Sequence, residues 1–194
     1  MQVPETHESE QALIMRARSD PDAFRTLYRR MHPRVFAYIA YRVGAASDAE
    51  DITAEVFMRV VNGLDRFEYR GEGAFAAWVF QISYREVMRF FSRHRGPKDI
   101  PLDDLPDIRS GFPTPEQNLD RKERFAAVRA AIALLPSRRQ EVVTLKFYGE
   151  LRNKEIALVL GLDERTVASN LSRALDQLEQ IIRADQAVLD EVRR

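Results

Sequence analysis

Apolar residues recur at intervals of three and four along most of this 194-residue chain, and the strict alternation typical of a strand is nearly absent. Helix-start patterns, in which Ser, Thr or Asp is followed by Pro or by Glu or Gln, precede several of these runs: Asp20-Pro21, Ser47–Glu50, Thr114–Gln117 and Ser137–Gln140. Pro33 should kink or split the helix that follows Asp20. The sequence therefore predicts an all-α fold.

Composition divides the helical pattern into two parts. Residues 8–95 hold 14 of the 18 aromatic residues, and the later helical runs lie within residues 114–183. Between them, residues 96–113 contain four prolines and two glycines among short acidic stretches, as is typical of a linker. We predict two small helical domains, over residues 8–95 and 114–183, joined by an acidic, proline-containing linker. Residues 184–194 form an extension without an interpretable motif.

The formal net charge is zero, which taken alone argues against a nucleic-acid partner. The charges are nevertheless segregated. Residues 16–42 carry seven Arg against two Asp, and residues 81–98 carry four Arg and one Lys against one Glu. Residues 96–120 carry six acids against two cations. The neutral total therefore averages over basic segments and an acidic middle.

Several functional classes are disfavoured by the residues present. With no cysteine, the chain has no disulfide framework, thiolate metal site or cysteine nucleophile. The three histidines lie on separate segments, and no glycine-rich phosphate loop or nucleophile elbow is visible. The charge-free stretch 73–84 is too short to span a membrane, and the acidic start does not resemble a signal peptide. We expect a cytoplasmic protein without catalytic residues, metal, cofactor or membrane insertion.

Residues 153–174 have the pattern of a helix-turn-helix. Gly161 lies where the turn needs a positive φ, and Asp163 is placed to cap the second helix. Such a second helix can lie in a major groove, where Arg and Asn side chains contact base edges. An ordinary helical hairpin fits this segment equally well.

A stripe of long polar side chains occurs every fourth residue at Gln81, Arg85, Arg89 and Arg93, with aromatic residues interleaved. Guanidinium groups at this spacing can follow a phosphate backbone, and aromatic faces can stack on unpaired bases. The alternative is a solvated basic face above the core.

An acidic cluster begins a helix after the first basic segment. Asp48 and Glu50 complement the dipole of the helix N-terminus and need no further explanation. Asp51 and Glu55 lie one turn apart on the helix. They are either solvated, with Glu55 pairing to Arg59, or they dock onto a basic protein surface.

Two ordered sets of short motifs occupy the two halves. The first half contains Asp20-Pro-Asp-Ala-Phe24 with Leu27-Tyr28, Asp48-Ala-Glu-Asp51 through Glu55-Val-Phe57, and Phe75-Ala-Ala-Trp78 with Ile82. The second contains Leu135-Pro136, Arg139-Gln-Glu-Val142, Glu155-Ile-Ala157, Leu160-Gly161, Thr166-Val167 and Arg173-Ala-Leu175. In order and spacing they resemble the second and fourth conserved regions of bacterial RNA polymerase sigma factors of the extracytoplasmic function (ECF) group.

The resemblance implies a partner for each surface. The acidic helix would bind the clamp helices of the polymerase β′ subunit through Asp48, Asp51 and Glu55. The loop over residues 62–73 and the following helix would recognise the promoter −10 element and hold a flipped base, through Arg66, Tyr69, Arg70, Gln81, Tyr84, Arg85 and Arg89. The carboxy-terminal domain would dock on the β flap and contact the −35 element through Arg165, Thr166, Ser169, Asn170, Ser172 and Arg173. The linker acids Asp99, Asp103, Asp104 and Asp107 would mimic nucleic acid in the polymerase channel.

The sequence departs from the family pattern at four positions, one of which, Arg165, supplies a cation where the family commonly has Gly. The recognition helix commonly reads Gly-Thr-Val-Lys-Ser-Arg, whereas residues 165–170 read Arg-Thr-Val-Ala-Ser-Asn, so that Ala168 and Asn170 replace two cations. Tyr84 replaces an Asn that is usual in the −10 helix. We predict an altered −35 preference or weaker −35 binding, with a shallower salt dependence.

The resemblance thus implies an ECF sigma factor that binds core RNA polymerase, directs it to promoter DNA and helps to melt the start region, with an anti-sigma factor as a further partner. Two alternatives belong to other classes. One is a helix-turn-helix regulator that binds DNA without engaging polymerase. The other is an interaction protein that mimics a sigma factor and sequesters an anti-sigma factor.

Overall fold

A computed structural model of the protein describes residues 9–94 and 127–192, with side chains over residues 9–93 and 127–184. Every regular element in these ranges is a helix, which confirms the predicted all-α fold. The helices are α1 (Glu10–Ala17), α2 (Pro21–Val43), α3 (Ala46–Gly63), a 3-10 turn (Leu64–Arg66), α4 (Ala74–His94), α5 (residues 127–133), α6 (Ser137–Phe147), α7 (Asn153–Leu160) and α8 (Glu164–Val192). The predicted linker over residues 96–113 and the helix start at Thr114 lie outside the described residues.

Helix α2 begins as predicted but is not split at Pro33. The Asp20 carboxylate accepts the backbone N–H of Asp22 at 2.9 Å, and Pro21 occupies the first turn. The helix then continues unbroken through Pro33 to Val43. Because Pro33 and Arg29 are exposed, water can bond the Arg29 carbonyl that the proline leaves without a donor.

The capping box predicted at Ser47 and Glu50 is wrong. Helix α3 begins at Ala46, with Ala45 as an N-cap that makes no side-chain hydrogen bond. Gly44 reverses the chain with a φ of 85°, so that α3 starts before Ser47 can act as its cap.

The capping box predicted at Ser137 and Gln140 is also wrong. Pro136 is the N-cap of α6, and Gln140 turns back toward the preceding helix. Its side-chain amide donates to the carbonyls of Ala133 and Leu135 at 3.0 and 2.7 Å. Gln140 therefore satisfies the carboxyl end of α5 rather than the amino end of α6.

One hydrophobic core extends through both halves of the chain. Buried residues of α1 to α4 are contiguous with Val142, Leu145, Leu151 and Ile156 from the second half. The fully buried Phe80 of α4 lies against Gly149, where an added Cβ would be 2.8 Å from its ring. The composition had indicated two separate domains, and their direct packing was not predicted.

A buried ion pair crosses the contact between the two halves. Arg42 of α2 lies 2.6 Å from the Glu141 carboxylate of α6, and the Tyr38 hydroxyl donates to the same carboxylate at 3.5 Å. Both charged side chains are nearly enclosed, with 13% and 9% exposure. Burial raises the pKa of Glu141, and Arg42 opposes that rise.

We expect Arg42→Met to lower the free energy of unfolding by about 3 kcal/mol, since it leaves a buried carboxylate without its cation. The raised pKa of Glu141 fixes the sign of the pH dependence. In the variant, proton uptake by Glu141 removes its unpaired charge. The loss in free energy of unfolding relative to wild type should therefore shrink as pH falls toward the unfolded-state pKa of 4.5. Denaturant unfolding at several pH values measures this. Adding Glu141→Gln should restore much of the lost free energy of unfolding. A loss that grows on acidification would contradict the role of Arg42 as the partner of a buried Glu141 carboxylate.

Candidate nucleic-acid and protein interfaces

A groove of about 540 Å³ lies between the loop that precedes α4 and α7, the first helix of the helix-turn-helix. Arg66, Arg70 and Gln81, three of the predicted −10 residues, line one side together with Trp78. The opposite wall is formed by Lys154 and Leu158 of α7. The structure thus brings guanidinium groups and an aromatic side chain together around a cavity, as binding of an unpaired base requires.

Three aromatic rings support the floor of this groove. The centroids of Phe67 and Trp78 lie 4.9 Å apart, and Phe75 packs on both at 5.6 and 5.9 Å. Gly63 passes close to the indole, where an added Cβ would lie 2.9 Å from it. These contacts hold the indole of Trp78 in place, and its side chain is half-buried.

The remaining predicted −10 residues do not line the groove. The Tyr69 hydroxyl interacts with the Glu10 carboxylate of α1, which contributes to the raised pKa of Tyr69. Tyr84 lines a different groove, between α4 and helices α5 and α6. Arg85 is exposed, and Arg89 lies 3.1 Å from the nearly buried Glu86, which also binds Arg59 at 3.0 Å. The side chains of the predicted stripe on α4 therefore lie in different environments and do not all face the groove.

The acidic face of α3 is open to solvent. Asp51 and Glu55 are exposed, Asp48 is half-buried, and Glu55 forms the predicted pair with Arg59 at 2.7 Å. Met58, at 59% exposure, continues the face that Asp51 and Glu55 occupy. Sequence reasoning missed it, although its spacing of seven from Asp51 could have indicated a shared face. The face combines two carboxylates with an apolar side chain.

The helix-turn-helix has its predicted local geometry. Gly161 ends α7 in the left-handed region, with φ 65° and ψ 40°. Asp163 accepts the Thr166 N–H at 2.8 Å and its hydroxyl at 2.6 Å, and these bonds lower the pKa of Asp163. Val167 is fully buried, which fixes the rotation of α8 about its axis.

The predicted −35 residues on α8 differ in availability. Arg165, Ser172 and Arg173 are exposed, whereas Ser169 is half-buried. The Thr166 hydroxyl bonds to Asp163, and the Asn170 amide donates to the Thr166 carbonyl at 2.9 Å. The exposed donors on this face are therefore Arg165, Ser172 and Arg173.

Direct hydrogen bonds join the candidate −10 face to the second half. The Gln81 amide donates to the Leu158 carbonyl at 2.8 Å. Arg152 binds Glu72 at 2.8 Å and the buried Glu155 at 2.7 Å. Helix α7 therefore covers part of the surface that the resemblance assigns to the −10 element.

Aromatic and arginine side chains extend this contact along α2. Arg34 donates to the carbonyls of Gly149 and Glu150, each at 3.0 Å. The rings of Tyr41 and Tyr148 stack at 4.3 Å.

Two further properties concern the described part of the chain as a whole. None of its helices is both long and apolar enough to cross a membrane. Among the described side chains, no group of three or more His, Asp or Glu is placed to hold a metal ion.

Comparison with known families and proteins identifies both halves. The model of sigma-70 region 2 matches residues 27–96, and that of sigma-70 region 4 matches residues 125–178. The ECF RNA polymerase sigma factor BldN of Streptomyces coelicolor is 32% identical over 174 residues, covering 89% of this chain and 66% of that protein. The sigma factor YlaC of Bacillus subtilis is 25% identical over 160 residues, covering 82% and 91%.

Solved structures agree on the fold. CnrH, in complex with the cytosolic domain of CnrY, superposes with a TM-score of 0.68 at 22% identity, covering 92% of this chain and 99% of that one. RpoE of Bartonella quintana, in complex with the anti-sigma factor NepR, has a TM-score of 0.60 at 22% identity, covering 84% and 98%. The two matched regions and the relatives show that this chain belongs to the sigma-70 family, as an RNA polymerase sigma factor of the ECF group.

Proposed function

We propose that this sigma factor binds core RNA polymerase through the acidic face of α3 and directs it to promoters that the two halves of the chain recognise. The observation that carries the proposal is the match of both sigma-70 regions within one chain. A helix-turn-helix regulator that does not engage polymerase would not need region 2. The exposed carboxylates of Asp51 and Glu55, with Met58 beside them, suit a basic partner surface with an apolar centre.

In the first half, the groove at Arg66, Arg70 and Gln81 is the proposed site for a base of the −10 element. A base that leaves the DNA stack loses its stacking energy, and the Trp78 ring and nearby guanidinium groups can offset that loss. No covalent chemistry is required, because melting draws on binding free energy alone. This supports the role of a transcription initiation factor rather than an enzyme.

In the second half, α8 is the proposed −35 recognition helix. Its outermost donors are Arg165, Ser172 and Arg173, and an arginine at the start of such a helix can make a bidentate contact to guanine. Ala168 contributes neither a charge nor a hydrogen bond. We therefore assign most of the base contact to Arg165.

Arg165→Ala should weaken binding of holoenzyme to its preferred −35 sequence by about tenfold, within the range of a lost base contact. The loss should disappear on a promoter whose −35 element is scrambled. Binding to both promoters at fixed salt measures this, with Arg183→Ala, a second exposed arginine on α8, as control. An equal loss on all sequences would assign Arg165 to phosphate contact instead.

Simultaneous recognition of both elements requires the halves to separate. Elements centred about 25 base pairs apart lie about 85 Å apart along B-form DNA, whereas here α4 and α7 are in hydrogen-bond contact. The predicted linker over residues 96–113 can span about 60 Å at about 3.3 Å per residue, which allows α7 to move away from α4. We propose that the contact described here belongs to the free chain and is broken in the promoter complex.

An anti-sigma factor is the second proposed partner. The structurally similar RpoE was solved with the anti-sigma factor NepR. Because core polymerase is the primary partner, we place the chain in the cytoplasm.

Run-off transcription tests the proposed function. The purified chain is added to core polymerase and a pool of promoter fragments, and we expect transcripts that depend on both components. Binding to promoter DNA without core association would support the regulator. Binding to an anti-sigma factor without transcription would support the sigma mimic.

A further inference from the structure

The loop over residues 67–73, which forms one side of the groove, is held at both ends by residues at the two ends of α1. At its start, an Arg18 guanidinium nitrogen donates to the Phe67 carbonyl at 2.6 Å. At its end, a Glu10 carboxylate oxygen accepts the Gly73 N–H at 3.3 Å. Both bonds are partly shielded from water, so each is less weakened by competing solvent than a surface bond.

The Glu10 carboxylate also interacts electrostatically with the Tyr69 hydroxyl of the same loop. Partial burial and then this carboxylate raise the pKa of Tyr69. One side chain thereby connects two points of the loop. Gly73, with a φ of 82°, adopts a backbone conformation that other residues rarely reach, so the position of its N–H is specific to this turn.

We infer that α1 positions the −10 loop, with Glu10 and Arg18 as positioning residues that do not themselves contact DNA. This inference rests on the proposed function. Neither residue lines the groove, whereas Arg66 and Arg70 on either side of Phe67 do. Fixing the loop before binding removes conformational entropy that the protein–DNA contact would otherwise lose.

The test uses the full chain assembled with core polymerase. A forked promoter oligonucleotide carries 2-aminopurine at the flipped −10 position, and affinity is compared between a matched and a base-substituted −10 element. Glu10→Ala should lower this discrimination by about tenfold, the size expected for a lost hydrogen bond to a charged group. Glu10→Gln should retain most of it, because an amide oxygen also accepts. Gln11→Ala, an exposed neighbour on α1, is the matched control.

A double-mutant cycle separates positioning from general destabilisation. If Glu10 acts through Tyr69, the effects of Glu10→Ala and Tyr69→Phe should be less than additive in the 2-aminopurine signal. Core binding and −35 binding should remain those of the Gln11→Ala control.

The outcomes are distinguishable. Unchanged discrimination in Glu10→Ala, or a loss matched by equal losses in core and −35 binding, would overturn the positioning role. Failure of the wild-type holoenzyme to discriminate would instead overturn the proposed function.

Discussion

Replacing Asp51 and Glu55 together by arginine is expected to abolish co-purification of the chain with core RNA polymerase. Both carboxylates are exposed on one face of α3, one turn apart, where cationic side chains of a partner can reach them, and Glu55 would share or give up its exposed ion pair with Arg59. Close charge pairs across protein interfaces contribute about 1.5–7 kcal/mol each, and reversing two charges replaces attraction by repulsion. The loss should therefore exceed a hundredfold in affinity, measured by co-purification and by titration of labelled chain with core enzyme.

Glu50→Arg is the matched control for this charge reversal. Glu50 is exposed on the same helix but lies about 100° around its axis from Asp51. It borders a groove with Tyr28 and Phe57 rather than the proposed docking face. Glu50→Arg should retain core binding. Unchanged binding in the double variant, or equal losses in both, would refute the assignment of the acidic face.

A covalent link between the two halves is expected to abolish promoter-dependent transcription while leaving the chain folded. Tyr41 and Tyr148 stack across the contact, and neither belongs to a proposed binding surface. Because the natural chain has no cysteine, Tyr41→Cys and Tyr148→Cys introduce the only two thiols. A short bis-maleimide should join them within one molecule and hold α4 against α7. Run-off transcription should then be lost.

Modification with a single-headed maleimide controls for the chemistry itself. That product carries the same substitutions without the link, so it should retain transcription. A failure to form the intramolecular link would show that the free chain does not adopt the closed contact. Full activity of the linked chain would contradict separation of the halves on the promoter.

The helices could be predicted because their signals are local. The caps at Asp20 and Asp163 and the turn at Gly161 each depend on residues within one helical turn, and all are present. The capping-box patterns at Ser47 and Ser137 are equally local, but neither capping box forms, because α3 begins at Ala46 and Pro136 is the N-cap of α6. In α6, Gln140 bonds to carbonyls at the end of α5, since the angle between two helices decides which orphan groups its amide can reach.

The candidate site was predictable only where one helix forms it. Spacing placed Asp51 and Glu55 on one face and Arg165 at the outer start of α8. It could not show that Glu10 reaches Gly73, 63 residues away, or that Gln81 reaches Leu158, 77 residues away. Such contacts depend on the packing of α1 against α2 and of α7 against α4, for which no local pattern exists.

The shared core gives the equilibrium between closed and separated chain a temperature dependence. Separation exposes apolar side chains such as Phe80 and Leu151 to water, which raises the heat capacity of the open form. Hydrophobic attraction weakens on cooling, so the apolar part of the closed contact loses strength at low temperature. The fraction of chains in the separated form, which can engage a promoter, should therefore depend on temperature as well as on the partners present.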